Sequence, residues 1–407
     1  MNKCFEIVVV GAGVTGLTVA SLLAQSEFAA DLNIRIIDAA QRPSWNSGDD
    51  VALRVSAVSG GSASLLNDIG AWSSIEAARI CSYDHMRVWD EALEPFSAST
   101  LCFDADEFAV QHLGYIVENV LLQHALLSVL DSLDVELSFE SPIAAIDINT
   151  IEINNGRHCV HLQTDLSVEA DLIIGADGGR SLVRESAGID VRHRPYEQTA
   201  FVTHVSPEKN HGHAALQRFL RDGPLGMLPL ADGRLSIVWT TTPDRAVQAQ
   251  QCSETELGGM LTKASDYVLG KLAVKGPRGA FPLGAQHAKD YVRRGIALIG
   301  DAAHTVHPLA GQGANLGLQD AAELSTVIID ALRAGEHPAD RPVLRRYERA
   351  RKGSNATMMH FMTGLNRLFA SDSSVLGELR RTGMQLFNRS GPVKKSVVGV
   401  ALGAGRH

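Results

Sequence analysis

The sequence predicts an α/β fold in which a Rossmann-like domain is interleaved with a mostly antiparallel β domain and followed by C-terminal helices. Three observations carry this. The β-branched run Glu6-Ile-Val-Val-Val10 ends in Gly11-Ala-Gly13-Val-Thr-Gly16, after which Leu17, Ala20, Leu23 and Ala24 recur at helical spacing. Two later runs, Leu172-Ile-Ile174 and Ile296-Ala-Leu-Ile299, are continuously apolar, as strands buried on both faces of a parallel sheet must be, and each leads into a glycine and an aspartate. Between them, Ala200–Val205 and Leu235–Thr242 are rich in β-branched and aromatic residues with no helical periodicity separating them, which predicts a separate antiparallel layer.

The elements follow in order. Ile34-Arg-Ile-Ile37 is a second strand ending at Asp38, completing a βαβ unit of about 30 residues. Val120–Leu133 reads as a helix. A longer helical pattern, Leu318, Ala321, Ala322, Val327, Ile328 and Leu332, runs over about 314–334 and is stopped by Gly335 and Pro338. From Arg345 onward the tail is helical, and no internal repeat points to a solenoid or propeller.

Composition excludes several function classes. A chain of 407 residues is long enough for two or three domains, each with its own core. With 37 Lys+Arg against 46 Asp+Glu, the net charge of −9 disfavours nucleic acid as a partner. The five cysteines are scattered without CxxC spacing, so no disulfide framework and no metal site is written, and a reducing cytoplasm fits. Phe5–Val10 carries Glu6 and gives way at once to a glycine turn, unlike a signal peptide. No uncharged apolar stretch of about 18 residues is present to span a bilayer.

Three glycine-aspartate signals carry the chemistry. In the first, Gly11 permits a tight turn, Gly13 lets a pyrophosphate approach the backbone, and Gly16 lets helix and sheet pack closely. The N-terminus of the helix that follows offers free N–H donors and a positive dipole end, and Asp38 can accept from a ribose. The second puts Asp177 on a sharp turn at Gly175-Ala-Asp-Gly-Gly179, with Arg184 just beyond Ser181; a plain strand-ending turn explains it equally well. The third, Gly300-Asp301-Ala-Ala-His304, leads through His307-Pro308 into Gly311-Gln312-Gly313-Ala314-Asn315 at a helix start. There Asp301 suits sugar-like hydroxyls, and the glycines free N–H groups for a partly anionic ring.

Taken together, these signals resemble the FAD-dependent aromatic hydroxylases, flavoprotein monooxygenases of the para-hydroxybenzoate hydroxylase type, over residues 3 to about 355. Within that group the chain looks most like the ubiquinone-biosynthesis hydroxylases, on the 2-octaprenylphenol hydroxylase branch. The strings that carry the closer likeness are Leu53-Arg-Val-Ser-Ala57, Met86-Arg-Val-Trp-Asp90, His112-Leu-Gly-Tyr-Ile-Val-Glu-Asn119 and Gly300–Gly313. The resemblance implies an FAD-binding domain over 1–75, 100–185 and 282–355, a substrate domain over 76–99 and 186–281, and a helical region over 356–407. It implies that Gly11, Gly13, Val14 and Gly16 hold the FAD pyrophosphate and that Asp38 holds its ribose, where relatives more often have Glu. Arg54 would lie beside the phosphates, unless it makes a surface salt bridge, and Asn119 stands where many relatives place Arg or Gln. Asp177 and Asp301 match the motif aspartates, with Asp301 on the ribityl chain, while Gly311, Gln312, Gly313, Ala314 and Asn315 border the flavin.

The reaction so implied uses noncovalent FAD, O2 and NAD(P)H as a transient reductant to hydroxylate an electron-rich phenol ring. Because the cofactor does the chemistry, no catalytic side chain is assigned, and His304 and His307 read as loop histidines with structural hydrogen bonds. Phe219, Leu225, Met227, Leu228, Leu230, Ile237 and Trp239 offer apolar lining for a prenylated phenol, although most such residues are simply core. Lys394-Lys395 and the adjoining apolar run permit peripheral contact at the inner face of the membrane; a packed terminal helix explains them as well. Homo-oligomerisation and assembly with other ubiquinone-biosynthesis proteins stay open. The competing readings are a related hydroxylase acting at another ring position or on a soluble aromatic acid, and a non-catalytic flavoprotein subunit of a biosynthetic assembly.

Overall fold

The computed structural model describes residues 5–148, 157–305, 313–369 and 374–402. Phe5–Val10 is a central strand of a six-stranded sheet, flanked in parallel by Leu32–Ile37 and Leu172–Gly175, which are flanked in turn by Val135–Ser138 and Ile296–Leu298. A short antiparallel strand, Val292–Arg293, closes one edge. The continuous apolar runs are explained by this arrangement: Ile7, Val9, Ile36, Leu172, Ile174 and Leu298 are essentially inaccessible, with helices and loops packed over the sheet.

Parallel pairing also puts the ends that matter on one side. Gly11, Asp38, Asp177 and Gly300-Asp301 each follow the carboxyl end of one of four consecutive strands. That edge of a doubly wound sheet, where helix N-termini and turns converge, is where such folds take ligands.

The second layer is an eight-stranded sheet, built from 85–104, 191–288 and His304–Thr305 and antiparallel except for the pairing of His85–Asp90 with Ala214–Leu220. Its spine is a pair of 17-residue strands, Val191–Pro207 and Leu272–Ala288. The second of these pairs with His304–Thr305 immediately after the Gly300-Asp301 turn, so the turn is held between the two sheets. Period-two alternation divides the large sheet by face. Leu225, Met227, Ile237 and Trp239 pack with Phe201 against the helices Pro243–Gln251 and Glu254–Ala264. These four are therefore core beneath the sheet, not substrate lining. Phe219 is likewise buried, stacked on Phe369 at 3.9 Å, and Leu230 packs with Val51 and Ile116.

The long helix Gly313–Arg333 crosses the first helix, Val14–Ala24, closely, because Gly317 and Gly300 leave room for Thr15. The terminal helices Ser374–Arg389 and Gly391–Leu402 dock on the edge strand Leu101–Asp104, where Asn388 bridges Cys102 N–H and Thr100 C=O. Lys394 is consumed by this docking: it pairs with Glu107 at 2.6 Å and lies over the rings of Phe103 and Phe108. The expected cationic pair is thus reduced to Lys395, which is exposed. No helix among the described residues is long and apolar enough to cross a membrane.

Candidate active site

The glycine turn shows three different uses of a missing side chain. Gly11 sits at φ +106°, and a Cβ there would meet Ala176 O at 2.4 Å. At Gly16 a Cβ would lie 2.0 Å from Gly11 O, so this glycine sets the helix-to-turn distance. At Gly13 it would meet no atom of the described residues within 4 Å, which leaves the face of the turn and the helix N-terminus beginning at Val14 open to a ligand. Asp38 holds the turn by accepting from Ala12 N–H at 2.6 Å and Ala40 N–H at 2.7 Å. A carboxylate has further acceptor sites beyond these two. Gly11, Gly13, Asp38, Asp177 and Arg180 together border a cavity of about 360 Å³.

Asp177 carries the clearest sign of an unmet partner. Its Oδ2 accepts from Val183 N–H at 3.2 Å, while Oδ1 is buried with no hydrogen-bond partner among the described residues. Burial pushes its carboxyl above the usual range despite hydrogen bonds that oppose the shift. An orphaned acceptor beside an open glycine turn fits a donor-bearing ligand, as a ribose or a phosphate-bound water would be.

The second and third turns are locked together. Arg184 is buried and donates to Gly179 O and Ala302 O, both at 2.9 Å, and Gln286 donates to Gly179 O and Thr305 Oγ1. Asp301 is solvent-exposed, yet burial is the first cause of its raised carboxyl pKa, opposed by the charges of His304 and Arg54. Asp301 thus meets water while protein surrounds it on its other sides. Arg54 is exposed and carries no ion pair among the described residues, so the salt-bridge alternative finds no partner there; its guanidinium lies 6.0 Å from the Phe281 ring. The backbone is placed by Arg54 O, which accepts from Asn119 N–H, and by Glu118, which accepts from Ala52 N–H and pairs with Arg79.

Asn119 opens the helix Asn119–Leu130, and its Oδ1 accepts from Ser56 Oγ. One turn on, Gln123 donates to Ala12 O at 3.0 Å, a contact with the glycine turn that no sequence motif marks. Gly313 and Ala314 begin the long helix, while Asn315 is buried and accepts from Ser59 N–H and donates to Ala57 O. Gly311, Gln312 and His307 lie outside the described residues.

Behind these turns lies a buried ionic cluster that sequence reading missed. Asp320 is fully buried and accepts from Gly300 N–H, Arg351 Nε at 2.7 Å and Asn355 Nδ2, and is joined to His304 Nε2 at 2.5 Å. Burial acts to raise the Asp320 carboxyl, but His304 and Arg351 outweigh it and hold it low. His304 is thereby tied into the structure, in line with a loop histidine making a structural hydrogen bond.

Next to this cluster, His287 bonds Tyr291 OH at 2.8 Å, and burial, reinforced by the charges of His304 and Lys352, pushes its imidazole down to about 4. An unfolded histidine titrates near 6.5, so between these values the unfolded chain binds a proton that the folded one does not. Stability is therefore complete above about pH 6.5 and should fall by about 1–2 kcal/mol toward pH 4, after allowance for partial solvation of the ring. Urea unfolding at pH 7.5 and 5 should show this decline, and His287→Gln should flatten it; an unchanged slope in the variant would rule out this histidine.

The face of the large sheet opposite its covering helices carries Gly226, Val238, Val202 and Gly279 in one cross-strand row. Leu53 packs against Gly279, and Phe281, beside Ala200, lies under Arg54. This apolar face, which by alternation also carries Leu228 of the expected lining, looks toward the segment that carries Arg54.

With this geometry in place, comparison with known proteins is specific. Residues 5–362 match the FAD binding domain family. The chain is 35% identical to a 3-demethoxyubiquinol 3-hydroxylase of Escherichia coli, covering 99% of both chains. It is 32% identical to the ubiquinone hydroxylase UbiL of Rhodospirillum rubrum, covering 99% of this chain and 90% of that one. The p-nitrophenol 4-monooxygenase PnpA of Pseudomonas putida shares the fold at a TM-score of 0.77 and 18% identity, with 98% and 97% of the two chains covered. The orphaned Asp177 oxygen, the open Gly13 and the recessed Asp301 fit FAD, and the chain belongs to the FAD-binding-domain family of flavoprotein monooxygenases, in the group of ubiquinone-biosynthesis hydroxylases.

Proposed function

We propose that this enzyme hydroxylates the aromatic ring of a polyprenylphenol intermediate of ubiquinone biosynthesis, with NAD(P)H as transient reductant. The observation that carries the reading is the convergence of Gly11, Asp38, Asp177 and Asp301 on one sheet edge, together with the apolar row Gly226, Val238, Val202 and Gly279 on the face of the large sheet opposite the helices Pro243–Gln251 and Glu254–Ala264. Bound FAD supplies the redox and oxygen-activating chemistry. The chain's own contribution is placement. Gly11, Gly13, Val14 and Gly16 would hold the pyrophosphate at a helix N-terminus, Asp38 and Asp177 the adenosine side, Arg54 the phosphates, Asn119 the cofactor edge, and Asp301 the ribityl chain. Gly311, Gln312, Gly313, Ala314 and Asn315 would border the flavin ring. Val202, Val238 and Phe281 would keep water from the substrate ring and seat the start of its tail.

The ring position admits two readings. The motif strings favour the octaprenylphenol branch, whereas the 35% identical relative is named for 3-hydroxylation of a demethoxyubiquinol. Either substrate carries a polyprenyl tail, and each buried methylene contributes about 0.8 kcal/mol, so one isoprene unit adds a few kcal/mol before ordering costs. Phenols with successively longer prenyl tails, supplied with O2 and NADH or NADPH, should show apparent affinity rising steeply and then levelling where the tail leaves the protein. Mass spectrometry of the product assigns the ring position. If a tail-free aromatic acid is hydroxylated as efficiently as any prenylphenol, the quinone reading fails and hydroxylation of a soluble aromatic replaces it.

A further inference from the structure

Away from the flavin edge, a groove of about 880 Å³ runs between the long helix Arg341–Phe369 and the ends of the two longest strands. Five Lys and Arg side chains line it, Arg192, Lys289, Arg345, Arg349 and Lys352, against two carboxylates, Asp290 and Glu348. This is a local reversal of sign in a chain whose net charge is −9. The reversal is visible along the helix itself, where six of the twelve residues 341–352 are basic and one is acidic. Some of that charge is spent internally: Arg351 pairs with Asp320, Arg346 with Glu336, and Lys289 with Asp190. Arg192 and Arg349 are exposed and have no carboxylate at ion-pair distance among the described residues. The potential in the groove is felt by His287 on its wall, where Lys352, His360 and Arg192 add to burial in disfavouring the protonated ring.

Between the cations the walls are formed by Ala285, Ala288, Ala356 and Met359 together with His193, His287, His360 and Thr363, and no Phe, Tyr or Trp is among the described lining residues. A nucleotide would want an aromatic face for its base and backbone N–H groups for its phosphates, and the groove is built from side chains along a helix flank instead. Basic clusters on an amphipathic helix with apolar surface between them suit anionic lipid. We infer that this groove docks the enzyme on a membrane by seating the phosphate of an anionic phospholipid between Arg192 and Arg349, with acyl carbon along the alanine and methionine wall. The inference rests on the prenylphenol reading, since a polyprenyl substrate resides in the bilayer and a docked enzyme meets it there.

The test uses the full-length, FAD-loaded protein and vesicles of phosphatidylcholine with or without phosphatidylglycerol. Wild-type protein should sediment with the phosphatidylglycerol vesicles only, and less so as salt is raised. The double reversal Arg192→Glu with Arg349→Glu should weaken that partition on the order of 30-fold or more. Reversing the exposed Lys209 and Lys271 on the large sheet's margin, an equal change in net charge, should leave it near wild type. FAD content and turnover of a short-tailed, water-soluble prenylphenol should be the same in all three proteins. Absence of wild-type binding to phosphatidylglycerol vesicles, or equal binding by the Arg192/Arg349 variant, would overturn the inference. So would saturable binding of ADP that the Arg192/Arg349 reversal abolishes in a protein indifferent to vesicles, which would make the groove a soluble nucleotide site. The tail-length series reads the substrate assignment without vesicles, so the two failures are told apart.

Discussion

Replacing Asp320 by alanine should destabilise the folded protein by about 3–5 kcal/mol, the cost of leaving a buried guanidinium without its counter-ion. Arg351 and His304 are 4% and 2% exposed and both face this one carboxylate, so neither can turn to water when it is removed. The same change removes the acceptor of Gly300 N–H, and Gly300, at φ +58°, is the residue that turns the chain into Asp301. Urea unfolding measures the first effect and FAD titration the second, and both should move together. Asp301→Ala gives the opposite pattern. That side chain is exposed, so stability should hold, while loss of a charge-assisted hydrogen bond of about 1.5–3 kcal/mol raises the FAD dissociation constant on the order of 10- to 150-fold. A loss below about 1 kcal/mol for Asp320→Ala would show that the cluster relaxes around the gap, and the positioning role would fall.

The contrast between these two aspartates shows which features a sequence displays. Asp301 ends a continuous apolar strand beside a glycine, a local pattern that physics ties to a ligand edge, and Gly11, Asp38 and Asp177 are legible for the same reason. Asp320 sits inside a helix among Leu318, Ala321 and Leu324, and its partners come from a turn sixteen residues earlier and a helix turn more than thirty later. Only the interruption of an apolar stripe by an acid hints at it. Gln123 is hidden likewise, because a side chain crossing from one helix to a turn leaves no periodic trace.

The large sheet was legible only in part. Of the residues offered as apolar lining most were expected to be core, and Leu225, Met227, Ile237 and Trp239 are, because two amphipathic helices cover them. The opposite row contains Gly226 and Gly279, whose lack of a side chain gives a sequence no apolar pattern to mark that surface. At Lys394 the packed-helix alternative holds, because a long aliphatic stem lets it bury against Phe103 and Phe108 while its ammonium meets Glu107.

The glycine turn allows the sharpest separation of fold from ligand. In Gly16→Ala the new methyl would stand 2.0 Å from Gly11 O and 3.1 Å from Ala176 Cβ, so the helix must withdraw from the sheet. Overpacking of this kind costs about 1–3 kcal/mol, and the displaced turn should release FAD as well. Gly13→Ala places the same methyl where no atom of the described residues lies within 4 Å, at a φ of −70° that alanine adopts freely. Its stability should match the parent within about 0.5 kcal/mol. Its FAD dissociation constant should nevertheless rise on the order of 10- to 100-fold, because the methyl occupies the surface that a pyrophosphate must approach and forces back roughly one charge-assisted hydrogen bond. Isothermal titration of FAD and urea unfolding of the two variants, side by side, check both statements. Wild-type FAD affinity in Gly13→Ala would mean that the pyrophosphate does not cross this turn, and the assignment of Gly11, Gly13 and Val14 as its cradle would have to be abandoned.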